Sequence, residues 1–449
     1  MIRIGVYFII LSLLSACQNS VLSGIEDETS SKIEFASITK LGPNNVTILW
    51  KCSRLTKGYL LGPTGIFPSL TSAKTHIMEI SGLSPQTNYE VFASCEKPNF
   101  SNGIPIRFRT WVSASPEKTQ GIWIVGGIGS DGNPVSQIDL FDANTATWYP
   151  TITSVPTPRA FASIVSHKNL IYIIGGLEKS GSVYSTSLKV EAYDPYNDIW
   201  ITKADLPQSS LGAIAGSIGD EIYVISGSGS ATVTTSPTLN TVLKLYPDLG
   251  TTGQWLSYTS NSSILSRTDM SGCSIDGVIY YSGGRSVSNG SVQFGTDGFI
   301  PTANTVTGSS EPSINVARSG GAGVCVNPEP KDLYPSDNQW FSVIGGSIVT
   351  DTSEPISALT SSAKTDFHQP GSTSFSAGPD LPQSLYAPAS QISYETRRIY
   401  VFGGANNLNT PLDTIYSIDS ASPVSGSWNT LSSTMPIPRF GHQAIRIDR

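Results

Sequence analysis

Six times along this chain an apolar run stops at a pair of small residues, and that repetition limits the possible folds more than any other feature. The runs are Ile122-Trp123-Ile124-Val125-Gly126-Gly127, Ile171-Tyr172-Ile173-Ile174-Gly175-Gly176 and Ile222-Tyr223-Val224-Ile225-Ser226-Gly227. They continue as Ile279-Tyr280-Tyr281-Ser282-Gly283-Gly284, Phe341-Ser342-Val343-Ile344-Gly345-Gly346 and Ile399-Tyr400-Val401-Phe402-Gly403-Gly404. The doublets begin at 126, 175, 226, 283, 345 and 403, so the intervals are 49, 51, 57, 62 and 58 residues. Self-similarity at such a period means one supersecondary unit, repeated because it cannot bury its apolar faces alone. Short β-rich runs ending in glycine read as strands, each closed by a tight turn.

Other features recur in step. Phe141 precedes Trp148, Tyr193 precedes Trp200, Tyr246 precedes Trp255 and Ile418 precedes Trp428. Doublet, aromatic and tryptophan together resemble the kelch motif, whose period is about 50 residues. The resemblance implies four strands per unit, with the doublet ending an inner strand and the tryptophan wedged between blades. The fourth and fifth units lack the tryptophan, and Ser342 replaces the usual aromatic, so their outer strands are expected to be irregular. The first unit begins directly at Gly121-Ile122-Trp123, without an innermost strand. Residues Pro438 to Ile447 read as such a strand with no unit after them, and they echo Pro158 to Val165. The expected fold is therefore all-β, a six-bladed kelch-like β-propeller over 118–449, closed by its C-terminal strand so that no sticky sheet edge remains.

Glycine suits the doublets because blades converge on an axis, where positive φ and close backbone approach exclude a Cβ. Gly127 to Gly132 also fits GxGxxG after a strand. No helical pattern follows, however, and dinucleotide binding needs a helix N-terminus for the pyrophosphate.

The first residues carry a different signal. Arg3 precedes an apolar stretch from Val6 to Leu14, too short to span a bilayer, and Leu14-Ser15-Ala16-Cys17 follows. This resembles a bacterial lipobox, which implies cleavage before Cys17 and acylation of its thiol, with palmitate among the chains expected; paired acyl chains anchor persistently. Residues 1–17 would be the signal and lipobox. Gln18, rather than an aspartate, implies the outer membrane by resemblance to lipoprotein sorting, on its periplasmic face or at the cell surface. Residues 18–31, rich in Ser, Asn and acidic groups, read as a flexible tether.

Residues 32–112 form short alternating runs. Val46, Ile48, Trp50 and Cys52 share one face, as do Tyr89, Val91, Ala93 and Cys95. With the stretch from His76 to Tyr89 they resemble a fibronectin type III module. That resemblance makes Trp50 the buried tryptophan, puts Leu83 and Tyr89 at the tyrosine corner and gives Ile104 to Trp111 the closing strand. It also brings Cys52 and Cys95, at the ends of strands on opposite sheets, within disulfide reach. Cys273 and Cys325, in inner strands of adjacent blades, are a second candidate pair, open only if those strands approach closely enough.

Charge narrows the function. The 449 residues carry a net charge of -7 and no basic run, so a nucleic-acid partner is not expected. The 4 histidines are scattered, with His167 placed in a turn, and no HxH or HExxH pair calls for a metal. No cofactor is implied, no catalytic set is recognisable, and a monomer is expected. Arg159, Arg267, Arg318 and Arg439 start inner strands and are placed to ring the channel mouth. Two readings stay open for them: forked cations for a carboxylate ligand, or donors to loop carbonyls between blades. The function expected is a lipid-anchored platform that binds a protein or glycan through propeller loops. The alternative is a sugar-active enzyme of the kelch type, similar to a sialate mutarotase or, more remotely, to galactose oxidase.

Overall fold

A computed structural model describes residues 31–62, 65–85, 87–98, 103–110, 121–232, 241–258, 266–307, 311–326, 339–353, 355–357 and 359–447. Cys17 and residues 18–30 lie outside them. The chain divides into two compact units, Met1–Ser115 and Pro116–Arg449, and every strand or helix described is a strand.

In the first unit, Ile33–Leu41, Asn45–Thr56 and Ala73–Ser81 form a three-stranded sheet. A four-stranded one runs in the order Gly65–Pro68, Gly58–Gly62, Asn88–Cys95, Ile104–Arg109. Val46, Ile48, Trp50 and Cys52 are all fully buried, because residues two apart on a strand point the same way. Trp50 stacks on His76 at 5.0 Å. The Tyr89 hydroxyl accepts the Ser84 N–H at 2.8 Å, pinning the turn before its strand. Cys52 and Cys95 are bonded across the two sheets with Cα atoms 6.1 Å apart, within the usual span. The closing strand ends at Arg109, and Trp111 is outside the described residues.

The second unit contains six four-stranded sheets among the described residues. Their innermost strands are Arg439–Ile445, Ser163–His167, Ile214–Ile218, Ser271–Ile275, Ala322–Val326 and Ala389–Ser393. Each pairs with the strand that contains or runs into a doublet: Ile122–Gly129, Leu170–Ile174, Glu221–Ile225, Val278–Ser282, Trp340–Ile344 and Arg398–Phe402. Third strands follow at Gln137–Asp142, Val190–Asp194, Val242–Tyr246, Thr296–Ile300, Thr365–His368 and Ile415–Asp419. Neighbouring innermost strands touch all the way round, the first against the second and the sixth against the first. The closing strand behaves as the sequence anticipates: Arg439 lies opposite Gly129 and Ile445 opposite Trp123.

The strands that run into the doublets are mostly apolar, with exceptions such as Glu221, Ser342 and Arg398, because both faces of each sheet are covered by neighbours, which removes the polar alternation of a one-sided sheet. Outer strands shrink to Thr305–Val306 and Ser376–Ala377 in the fourth and fifth sheets, and also to Asn429–Thr430 in the sixth. The tryptophans reach back one sheet. Trp200 Nε1 donates to Thr153 Oγ1 at 3.1 Å, Trp255 Nε1 to the Ala204 carbonyl at 2.8 Å and Trp428 Nε1 to the Pro379 carbonyl at 3.0 Å.

Glycine at the doublet is required by both arguments. Gly127 has φ +94°, and a Cβ there would sit 2.7 Å from His442 Cβ and 3.0 Å from the Phe440 carbonyl oxygen. Ser226 takes the first doublet position with φ 56°. Its Oγ, accepting the Arg267 N–H at 2.9 Å and donating to the Arg267 carbonyl at 3.0 Å, supplies local bonds that hold this conformation. One expectation needs correcting: His167 is not in a turn but ends the strand Ser163–His167, buried, with Nδ1 2.8 Å from Ser217 Oγ.

Candidate functional site: the central channel and its two faces

Connections between second and third strands, and from each sheet to the next, leave from the doublet side of the ring; the opposite side carries the turns between first and second strands. At the start of each innermost strand, just before it in five sheets and within Arg439–Ile445 in the first, comes one residue with left-handed backbone: Phe161, Gly212, Asp269, Gly320, Ala387 and Gly441, with φ between 47° and 64°. These six hold one another in a closed hoop. Phe161 N–H donates to the Gly441 carbonyl at 2.7 Å, Gly212 to Phe161 at 3.3 Å and Asp269 to Gly212 at 2.9 Å. Gly320 donates to Asp269 at 2.7 Å, Ala387 to Gly320 at 2.8 Å and Gly441 to Ala387 at 2.9 Å. The hoop was not read from the sequence, because only three of its members are glycine.

Inside the hoop lies a cavity of about 480 Å³, walled by all six innermost strands. All six hoop residues line it, and at the other end it reaches Gly219, in the turn after Ile214–Ile218. Its walls carry small residues and neutral polar groups such as Ser390, Gln391 and Gln443. Asp269 and His442 also line it. Burial raises the Asp269 carboxyl pKa, against the opposing pull of Arg285, whose Nε and Nη2 both reach Asp269 Oδ2, at 2.9 and 2.6 Å. Burial holds His442 neutral, well below the ordinary histidine range.

The four arginines do not line this cavity. Arg159, Arg267, Arg318 and Arg439 are at most 2% exposed, and each is held inside its own sheet. Arg159 Nη2 meets Glu191 at 2.7 Å and Arg318 Nη1 meets Asp366 at 2.7 Å. Arg267 pairs with Asp297 and Arg439 with Asp139. Other N–H groups go to backbone carbonyls, such as Gly283 and Gly295 for Arg267 and Gly126 and Gln137 for Arg439, while Nε of Arg267 and of Arg318 is buried without a partner among the described residues. Burial lowers the pKa of Arg159, Arg318 and Arg439 while the paired carboxylates oppose it. Of the two readings of these arginines, their burial and their carboxylate partners fit donors held within the sheets rather than forked cations presented at the channel mouth.

The acidic partners went unrecognised in the sequence, yet a signal exists. Each is the residue that faces the second-strand position two before the doublet: Asp139, Glu191, Asp297 and Asp366. The third and sixth sheets carry Ser210 and Leu385 at the arginine position and Leu243 and Tyr416 at the acidic one. Cation and anion are present together or absent together.

Cys273 and Cys325 form a disulfide in the cavity wall, with Cα atoms 5.6 Å apart. The neighbouring glycines explain the approach, since a Cβ on Gly323 would sit 2.2 Å from Gly272 N. No group of His, Cys, Asp or Glu among the described residues could hold a metal, and no helix long and apolar enough to cross a membrane is found among them. Gly127 to Gly132 leads into a strand rather than a helix, so it cannot hold a pyrophosphate as GxGxxG does.

Comparison with known proteins agrees with this geometry. Residues 158–207 match the Kelch motif. The chain is 27% identical over 109 residues to beta-scruin of Limulus polyphemus, covering 24% of this chain and 12% of that protein. It is 26% identical over 214 residues to Kelch-like protein terF of Aspergillus terreus, covering 46% of this chain and 45% of that one. The chain therefore spans less than half the length of these curated relatives. The solved structure of YjhT superposes with a TM-score of 0.51 at 14% identity, over 69% of this chain and 97% of YjhT. Motif, repeat and topology together support a kelch-repeat β-propeller in the second unit.

Proposed function

We propose that this protein is a recognition platform whose six-bladed propeller takes a protein partner on its doublet face, presented from a lipid-anchored chain by a fibronectin type III-like spacer. One observation carries the reading. Four large apolar side chains stand exposed between second and third strands: Val183 (65%), Phe294 (58%), Ile348 (45%) and Leu408 (83%). They belong to four different sheets but to one face of the ring. Single exposed apolar residues are ordinary; four of them on the connections of one face of the ring offer apolar anchors there to a partner. Loops on a rigid scaffold are also where binding residues collect. The kelch relatives support a protein-interaction scaffold, and the locked arginines leave the doublet face without the forked cations that an acidic sugar would need. The lipobox resemblance at Cys17 supports attachment to the outer membrane, and the paired sheets of the first unit support its role as spacer.

The test is cross-linking of the intact protein on cells, followed by the variants Val183→Asp, Phe294→Asp and Leu408→Asp. All three are expected to keep the wild-type melting temperature and to lose the same cross-linked partner. Retention of that partner by all three, or capture through the first unit alone, would falsify the reading.

A further inference from the structure

The cavity is a second site, on the other side of the ring from the loops. Its floor is the hoop: six residues closed by backbone hydrogen bonds bound it at the doublet end, and none of the residues that follow the doublets lines it. Access is therefore from the turn side. Each innermost strand is hydrogen-bonded to a partner along one edge only, so its other edge faces the axis. Neighbouring side chains take some of the carbonyls there, as Ser163 Oγ does for Ala213 and Gln391 Nε2 for Ala444, and the rest of the edge must be satisfied from inside.

The wall chemistry defines what fits. Backbone edges alternate donors and acceptors, and the amides of Gln391 and Gln443 offer both. Ser390 lines the cavity, is 7% exposed, and its hydroxyl has no partner in the protein. The one carboxylate in the lining, Asp269, already has its Oδ2 forked by Arg285. A charged ligand would be desolvated with no free counter-charge to receive it, a costly transfer. A solute whose hydroxyls each donate and accept meets every wall at once. The cavity of about 480 Å³ lies within the ~300–1,000 Å³ of small-molecule sites. The geometry points to an uncharged mono- or disaccharide, bound in the channel from the turn face and independently of any partner on the loops.

Isothermal titration of the intact protein with D-glucose, D-galactose and N-acetyl-D-glucosamine, against D-glucuronate and D-glucosamine as charged counterparts, tests this. At least one uncharged sugar is expected to bind saturably at one site, at least tenfold more tightly than either charged one. Ser390→Ala is expected to weaken it about threefold to tenfold, the worth of one neutral hydrogen bond. Ala215→Trp, which fills the lumen, is expected to abolish it; Gln391→Ala, measured alongside with its melting curve, covers the case in which the tryptophan does not fold. Absence of saturable binding by all three uncharged sugars, equal binding of the charged ones, or full affinity in both Ser390→Ala and Gln391→Ala overturns the proposal. None of these outcomes bears on the doublet face.

Discussion

Changing Arg159 to leucine strands the Glu191 carboxylate, whose side chain is 9% exposed, while the arginine side chain itself is fully buried at 0%. Removing one member of a buried pair costs about 3–5 kcal/mol, because the survivor keeps its desolvation penalty without its counter-charge. Glu191 retains the Thr157 hydroxyl at 2.9 Å, which moderates the loss, so about 4 kcal/mol is expected. Glu191→Leu should cost a similar amount by leaving the guanidinium unpaired. The double variant removes both charges. What it still loses is the donor to the Gly175 carbonyl, 3.2 Å from Arg159 Nη1, and to other nearby carbonyls, worth about 1–2 kcal/mol. The fold tolerates such a site, since the third sheet carries Ser210 with Leu243 and the sixth Leu385 with Tyr416 in the same places. Urea unfolding of the four proteins, followed by tryptophan fluorescence, completes the cycle, and a coupling of at least about 2 kcal/mol is expected. A double variant as damaged as the sum of the singles, or an Arg159→Leu loss below about 1 kcal/mol, would refute the reasoning.

Stability should fall in mild acid. His76, His167 and His442 are all held below the ordinary value of 6.5, chiefly by burial; the unfolded chain thus binds protons first, and stability present above about pH 6.5 is lost as the pH drops through it. Each fully buried histidine adds up to about 1.4 kcal/mol per pH unit to that slope, so His442→Phe should flatten a plot of urea midpoint against pH between 6.5 and 5, and an unchanged slope would count against the assignment. Replacing Cys273 and Cys325 together by serine opens a loop of 52 residues and should cost about 4 kcal/mol in the chain-entropy treatment, read as a lower urea midpoint; an unaltered midpoint would show that the strands need no staple.

Much of the architecture was legible because it rests on covalent necessity. Positive φ and absent Cβ can be read from a glycine doublet, and an unmatched strand at one end of a repeat implies a gap at the other. The tryptophan after the third strand was placed by the kelch resemblance, which implies that it fills a wedge between units. The hoop was not legible: its members are as different as Phe161, Asp269 and Gly441, because what it uses is backbone. The arginines were visible but their role was not, since a forked cation looks the same whether its acid is a ligand or Glu191. Only the matched loss of both partners in two sheets separates the readings, and it emerges once register is known. The disulfide between Cys273 and Cys325 depended on strand spacing, which Gly272 and Gly323 set from one and two positions away.

The bond between Arg439 and Gly126 spans 313 residues of chain, and this has a temporal meaning. A ribosome adding about 5–20 residues per second takes about 15–60 s to travel from the strand Ile122–Gly129 to the segment that finally zips onto it. Throughout that interval the nascent polypeptide carries a hydrophobic flank with no occupant, open to any passing strand. Vectorial folding therefore cannot finish the ring piecemeal: closure waits for the last strand to be made.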